Sequence, residues 1–99
     1  MVELDPDVPK RRVHAWVPSQ DQGTPLAEGL KAVAMELGLT GWGRVLLDGR
    51  LELVAEGNAD AVEELLLWVM KGSERVKVGN LMLEDEPVSG EYSTFSVPD

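Results

Sequence analysis

Few residues of this 99-residue chain carry side chains that could do chemistry. The chain has one histidine, His14, and no cysteine, which excludes a disulfide framework, a thiolate nucleophile and a zinc site built on cysteine. His14 alternates with Arg12 and Trp16 in a strand-like segment and has no second histidine to share a metal with. We therefore expect a surface histidine, no metal site and no cofactor.

Carboxylates are numerous, with 18 Asp and Glu against 9 Lys and Arg, but they form no catalytic pair. A working pair needs two carboxyl groups in different environments, whereas Glu63, Glu64 and the run at 84–86 are typical of solvated helix and strand-end positions. The net charge of −9 disfavours nucleic acid and anionic lipid. The basic run Lys10-Arg11-Arg12 is too short to reverse that expectation, so we predict neither a nucleic-acid nor a membrane partner.

Hydrophobic patterning predicts one domain over residues 11–99, preceded by an acidic tail at 1–10 that contains two prolines. No apolar run approaches the ~20 residues that span a bilayer. The first residues also lack the apolar segment of a signal peptide. Together with the absence of cysteine, these features predict a cytoplasmic protein.

The periodicity predicts the element order β-α-β-β-α-β with a short closing strand. Alternation marks strands at 11–17, 42–47, 50–56, 75–84 and 93–97. Thr24 is the predicted N-cap of a first helix that Gly38 ends, and Asn58 that of a second helix that ends at Gly72. This order predicts an α+β, ferredoxin-like sandwich with two helices on one face of an antiparallel sheet.

The other face of that sheet is a candidate interaction surface. If Val13 and Leu51 face the helices, Trp16 and Val54 lie on the opposite face, where exposed apolar groups would suit a protein partner or a second copy of the chain. Alternatively, the flanking charges of Arg12, Glu52 and Glu56 keep this face solvated. The sequence leaves both readings open.

Several segments resemble the acylphosphatase family almost without gaps over residues 11–97. The most specific are Leu-Gly-Leu-Thr-Gly-Trp at 37–42 and Asp-Gly-Arg-Leu-Glu-Leu-Val-Ala-Glu-Gly at 48–57. Weaker matches lie at 13–17, 22–23, 86–91 and 95–97. The resemblance implies a hydrolase of acyl phosphates that uses no metal or cofactor.

In that family, the loop after the first strand reads roughly Gly-Arg-Val-Gln-Gly-Val-Gly-Phe-Arg. Its backbone N–H groups and a helix N-terminus hold the phosphate, and its final arginine clamps the phosphoryl oxygens. An asparagine on the second strand, in the motif Gly-Trp-Val-Arg-Asn, orients the attacking water. Catalysis of this type depends on positioning and electrostatics.

This chain departs from the pattern at both catalytic side chains. The clamp position holds Ala27 and the water-positioning site holds Val45. Pro25 removes one backbone donor from the loop. The vestigial phosphate loop consists of Ser19, Gln20, Asp21, Gln22, Gly23 and Thr24.

Two charged residues at this site have open roles. Arg44 is retained, and it could contact an anion or form a surface ion pair. Asp21 brings a negative charge to the phosphate position, where it could plug the old cradle or remain a solvated loop carboxylate.

The departures predict an acylphosphatase-like domain that is catalytically inactive, with a protein-interaction role. Losing an arginine that stabilises phosphoryl charge costs about 10³–10⁵ in rate, and losing one preorganised donor costs about 10²–10³ more. The alternative is an acylphosphatase with weak or altered activity. A small-molecule regulatory domain is a third hypothesis, which rests on analogy of fold alone.

Overall fold

The computed structural model describes residues 9–18, 23–72 and 82–98, with only the backbone described at 23–26 and 72. These ranges contain five strands and two helices. The elements are β1 (Lys10–Val17), α1 (Gly23–Glu36), β2 (Thr40–Val45), β3 (Leu51–Asn58), α2 (Ala59–Gly72), β4 (Met82–Glu86) and β5 (Phe95–Ser96). Within these ranges, neither helix is long and apolar enough to cross a membrane.

The strands form one sheet in the order β4-β1-β3-β2-β5. Four of the strands pair antiparallel, with Val13 of β1 opposite Ala55 of β3 and His14 opposite Val54. β5 instead pairs parallel to β2, so the sheet is mixed rather than wholly antiparallel as predicted. β3 lies at the centre of the sheet, and its residues 51–56 are buried whichever face they point to.

Both helices pack on one face of the sheet, as the sequence predicts for a ferredoxin-like fold. Alternate residues of β1 and β3 point to that face and join the apolar stripes of the helices in one core. The largest fully buried members of this core include Leu30 of α1, Leu65 of α2 and Phe95 of β5. The short β5 is therefore held to the sheet by a buried aromatic side chain as well as by its pairing.

The first helix ends where the sequence predicts but begins earlier. Gly38 has φ 71°, a conformation that suits glycine at the C′ position of a helix. Leu39 N donates to Ala34 O at 2.9 Å and Gly38 N to Met35 O at 3.1 Å, which completes a Schellman motif. Helical geometry starts at Gly23, so Thr24 is already the second residue of the helix and the prediction of Thr24 as the N-cap is wrong by two residues.

Other boundaries shift because tertiary pairing extends the strands. Lys10, assigned to the tail, begins β1, and the carbonyl of Pro9 accepts a hydrogen bond of 2.9 Å from Ala59 N. The remainder of the predicted tail lies outside the described residues. β4 continues to Glu86, two residues beyond the predicted end, and the part predicted at 75–81 is also outside the described ranges.

Candidate functional site

α1 and β2 meet beside a groove that contains both degenerate catalytic positions. Ala27 lies early in α1 and Val45 is the last residue of β2. Both line a cavity of about 760 Å³, within the range of small-molecule sites. Val45 is 42% exposed, whereas Ala27 is only 5% exposed. The structure therefore brings together two positions that are 18 residues apart in the chain, which follows from their numbers.

The predicted phosphate loop is described only in part. Ser19, Gln20, Asp21 and Gln22 lie outside the described residues, so the hypothesis that Asp21 plugs the cradle stays a prediction. The backbone of Gly23 and Thr24 forms the first turn of α1. Of the vestigial loop, the structure thus describes only the end that enters the helix.

Three charged residues line the groove together with Ala27 and Val45: Glu28, Lys31 and Arg44. Lys31 follows Ala27 by four residues, a spacing that puts two side chains on the same face of a helix. Among the described residues, Lys31 takes part in no ion pair. Lys31 is not among the residues predicted from the sequence, although its spacing from the clamp position was a usable signal.

Arg44 contacts residues on the face of the sheet that points away from the helices. Its Nε donates to Glu52 Oε1 at 2.8 Å, and its guanidinium carbon lies 5.3 Å from the ring centroid of Trp42. Arg44 therefore forms the ion pair that was one of its two predicted roles, while its side chain remains more than half exposed. A guanidinium has five N–H donors, so an anion in the groove could still contact it.

Within the described ranges, the groove offers two cations, one carboxylate and apolar surface. Neither Ala27 nor Val45 carries a side-chain donor or acceptor that could clamp an oxyanion or orient a water. Lys31 and Arg44 supply positive charge, and Glu28 supplies one carboxylate. Among the described residues, no group of histidine, cysteine, aspartate or glutamate is arranged to hold a metal ion.

On the opposite face of the sheet, the structure corrects one predicted contact residue. Val54 does lie on that face, in register between His14 and Trp42, but it is only 2% exposed. The expectation that Val54 is an exposed apolar contact is therefore wrong. Trp16 remains half-buried, stacked on His14 with ring centroids 4.0 Å apart, and its neighbour in β4, Met82, is 62% exposed.

His14 is not a free surface residue, because both ring nitrogens face carboxylates. Nε2 lies 2.7 Å from Glu52 Oε2 and Nδ1 lies 3.1 Å from Glu86 Oε2. A neutral imidazole donates one hydrogen bond only, so both contacts are hydrogen bonds only in the imidazolium form. The sequence could not show this, since the three residues come from three different strands.

The two carboxylates that contact His14 have lowered pKa values. Burial alone would raise the pKa of Glu52, but hydrogen bonds from His14 and Arg44 outweigh it and the net shift is downward. For Glu86, the hydrogen bond from His14 is the largest cause of the lowered pKa, and Arg12 adds to it against a smaller effect of burial. Both groups are therefore held ionised on this face.

Arg12 connects β1 to the segment that follows β4. Its Nε donates to Glu86 at 2.9 Å, and its Nη1 contacts Ser89 and Glu91. The hydrogen bond to Glu91 is the largest cause of a raised Arg12 pKa. The same Nη1 lies 3.6 Å from Glu56. Arg12 thus joins four residues near one end of this face.

Glu56 and Trp42 attach the same segment to the sheet. The backbone N–H groups of Ser89 and Gly90 donate to Glu56 at 3.1 and 2.7 Å. Trp42 Nε1 donates to the hydroxyl of Tyr92 at 3.0 Å. The charges of Glu52 and Glu56 are therefore buried within networks and do not solvate this face as the alternative prediction supposed.

Comparison with known proteins agrees with this architecture. The acylphosphatase family model matches residues 14–97. A protein of Methylococcus capsulatus named acylphosphatase is 44% identical over 87 residues, which are 88% of this chain and 95% of that protein. A solved acylphosphatase from Coxiella burnetii has a TM-score of 0.76 at 35% identity and covers 90% of this chain and 93% of its own. The acylphosphatase of Bacillus subtilis gives a TM-score of 0.77 at 25% identity, with 90% and 99% covered. With its fold, its motifs and these relatives in agreement, the chain belongs to the acylphosphatase family.

Proposed function

We propose that this acylphosphatase-like domain, over residues 11–99, does not hydrolyse acyl phosphates and acts through binding. The observation that carries the proposal is that Ala27 and Val45 line one groove. By resemblance, these two positions correspond to the phosphate clamp and the water-positioning residue. The groove therefore has an alanine and a valine where the family has an arginine and an asparagine. A cytoplasmic location without a nucleic-acid partner, supported by composition, is part of the proposal.

The retained cations do not replace what is missing. A phosphoryl clamp works through a forked, bidentate guanidinium held in fixed geometry, which a lysine ammonium on a flexible stem does not reproduce. Arg44 has the right group, but its Nε is committed to Glu52. Val45 offers only methyl groups to the water that an asparagine would orient. Together the two losses support a rate reduced by at least about 10³–10⁵ relative to an intact site.

The proposal is tested by the hydrolysis of benzoyl phosphate. The unmodified protein is assayed beside a double variant, Ala27→Arg with Val45→Asn, which restores both side chains of the family pattern. A matched control introduces the same two side chains at exposed positions away from the groove, Leu67→Arg on α2 with Val88→Asn. All three proteins are first shown to have the same thermal unfolding temperature within experimental error.

We expect a silent parent, a silent control and measurable turnover by the restored variant. Turnover by the unmodified protein at a typical enzyme rate would show that other residues form the clamp, and the proposal would fall. If none of the three proteins hydrolyses benzoyl phosphate, the proposed loss of hydrolysis is supported. The loop at 19–25 would then also lack groups that catalysis needs.

The binding role proposed for the sheet face rests on Trp16 and Met82. They lie side by side in register on β1 and β4, at the end of the face away from the segment held by Arg12. An adjacent aromatic and a largely exposed methionine are the side-chain types that protein interfaces favour. Val54 is buried and is therefore not part of this surface.

Sedimentation of the protein alone, and with Trp16→Glu, tests this role for self-association. We expect the exchange to abolish association without unfolding the domain, whereas Leu47→Glu, at an exposed position in the β2–β3 hairpin, leaves it intact. A monomeric parent at all concentrations moves the role to a different protein partner. If Trp16→Glu associates as the parent does, the surface is not the one used.

A further inference from the structure

The groove beside Ala27 continues along α1 towards the end of the described chain. A second hollow of about 380 Å³ is lined by Met35, Phe95 and four neighbouring residues of the C-terminal segment, together with Lys31. It shares Lys31, Val97 and Pro98 with the first cavity. The two hollows are therefore adjoining parts of one surface groove, with Lys31 at the junction.

The two cations of this groove differ in whether they already have an ion-pair partner. The guanidinium of Arg44 is already paired with Glu52, whereas Lys31 is in no ion pair among the described residues. Lys31 carries one positive charge on a flexible stem that can follow a ligand. Glu28 lines the first cavity and would repel a doubly charged ligand more strongly than a singly charged one.

Apart from Thr94 and Ser96 in the second hollow, the remaining lining is apolar and partly open to solvent. Met35 is 60% exposed and Val45 is 42% exposed, although both are large hydrophobic residues. Val97 and Pro98 border both hollows. Methionine is a side chain that adapts to ligands of variable shape. A ligand that covered these residues would gain stability from the apolar surface that it removes from water.

We propose that this groove binds a small amphipathic carboxylate. Its carboxylate pairs with the ammonium group of Lys31, and its hydrocarbon part lies along Met35, Val97 and Pro98. Lys31, which has no ion pair among the described residues, and the adjacent Glu28 favour a monoanion over phosphate, and the apolar part of the lining favours a ligand with a hydrocarbon tail. The proposal rests on the proposed function in one respect, because the small side chain of Ala27 leaves the space beside Lys31 unoccupied.

Calorimetric titration with octanoate tests the proposal, with octanamide as the neutral analogue and inorganic phosphate as the anion without a tail. Lys31→Gln removes the charge but keeps most of the side-chain length. Lys71→Gln, at an exposed position of α2, is the matched control. Met35→Asp introduces a negative charge along the proposed path of the tail. The unfolding temperature of each variant shows that it remains folded.

We expect octanoate to bind the unmodified protein and Lys71→Gln equally. Lys31→Gln should weaken binding by about tenfold or more, as expected for the loss of a charge-assisted hydrogen bond. Met35→Asp should weaken it further, and octanamide and phosphate should bind far less tightly than octanoate. No binding of octanoate, unchanged binding by Lys31→Gln, or equal binding of octanamide would overturn the proposal.

Binding and hydrolysis fail separately in these experiments. Octanoate has no phosphoryl group, so its titration is unaffected by whether the domain turns over benzoyl phosphate. If the unmodified protein hydrolyses benzoyl phosphate and still binds octanoate through Lys31, the loss of hydrolysis is wrong and the carboxylate site stands. If it does neither, only the carboxylate site falls.

Discussion

Replacing His14 with phenylalanine tests whether the networked face of the sheet stabilises the fold. The exchange keeps an aromatic ring beside Trp16 but removes both nitrogens that face Glu52 and Glu86. Each carboxylate retains one arginine, since Arg44 still donates to Glu52 and Arg12 to Glu86. The perturbation therefore deletes both contacts of His14 with carboxylates while leaving the two arginine ion pairs in place.

The two contacts should contribute unequally. Glu52 is almost fully buried and its contact with His14 is short, at 2.7 Å. Losing a hydrogen bond to such a charged group costs about 1.5–3 kcal/mol. Glu86 is more exposed and its contact is longer, at 3.1 Å, so solvent compensates much of that loss. We expect His14→Phe to lower the free energy of unfolding by about 2–4 kcal/mol.

Urea denaturation at neutral pH measures this loss. For a small domain, a loss of that size moves the midpoint down by about 1–2 M with the slope unchanged. A background carrying Glu52→Gln and Glu86→Gln provides the control, because His14→Phe should cost much less once both carboxylates are gone. Similar costs in the two backgrounds would show that ring packing, and not the carboxylates, makes His14 important.

The same pair of proteins gives a pH dependence with a definite sign. Because the folded pKa values of Glu52 and Glu86 lie below the ordinary value of 4.5, the unfolded state binds more protons than the folded state in that interval. Their stabilisation is thus present above pH 4.5 and is lost as the pH falls through the folded values. The difference in free energy of unfolding between the parent and His14→Phe should therefore become smaller as the pH falls below 4.5. A gap that stays constant down to full protonation would refute the reasoning.

Two further predictions concern backbone and core. Gly41→Ala would place a Cβ 1.9 Å from the carbonyl oxygen of Val54 at φ 134°, so we expect a loss of about 3 kcal/mol or more in urea denaturation. Gly38→Ala, at φ 71° with nothing within 4 Å, should cost only about 1–2 kcal/mol; equal losses would contradict the steric argument. Phe95→Ala should lower stability by about 3–5 kcal/mol, because this buried ring anchors β5. A much smaller loss in the same assay would show that β5 is held by its pairing alone.

The fold could be predicted because its signals are local. Apolar spacing along α1 and α2, the alternation in β1 and the hairpin at Asp48-Gly49 each depend on residues a few positions apart. Gly38 ends α1 as expected, since a left-handed residue is needed at that point. The parallel pairing of β5 was missed because two residues carry too little pattern to specify a partner strand.

For the face opposite the helices, the sequence predicted which residues lie there but not their burial or their hydrogen-bond partners. Alternation correctly assigns His14, Trp16 and Val54 to one face. Their burial and partners depend on contacts such as those of His14 with Glu52 and Glu86, which are 38 and 72 residues away in the chain. No local pattern encodes which carboxylates will meet a given ring once five strands have paired.

At the candidate site, the amino-acid identities alone establish that the two catalytic side chains are missing. The identities of Ala27 and Val45 are properties of single positions, and a methyl or isopropyl group has no donor in any conformation. Two other properties of the site became visible only in the folded chain. These two positions share a groove with Lys31, and Arg44 is already bound to Glu52. That outcome depends on how α1 packs against β2 and on which strands become neighbours. Proximity in space is a result of packing, whereas the chemistry of each side chain is present in the sequence from the start.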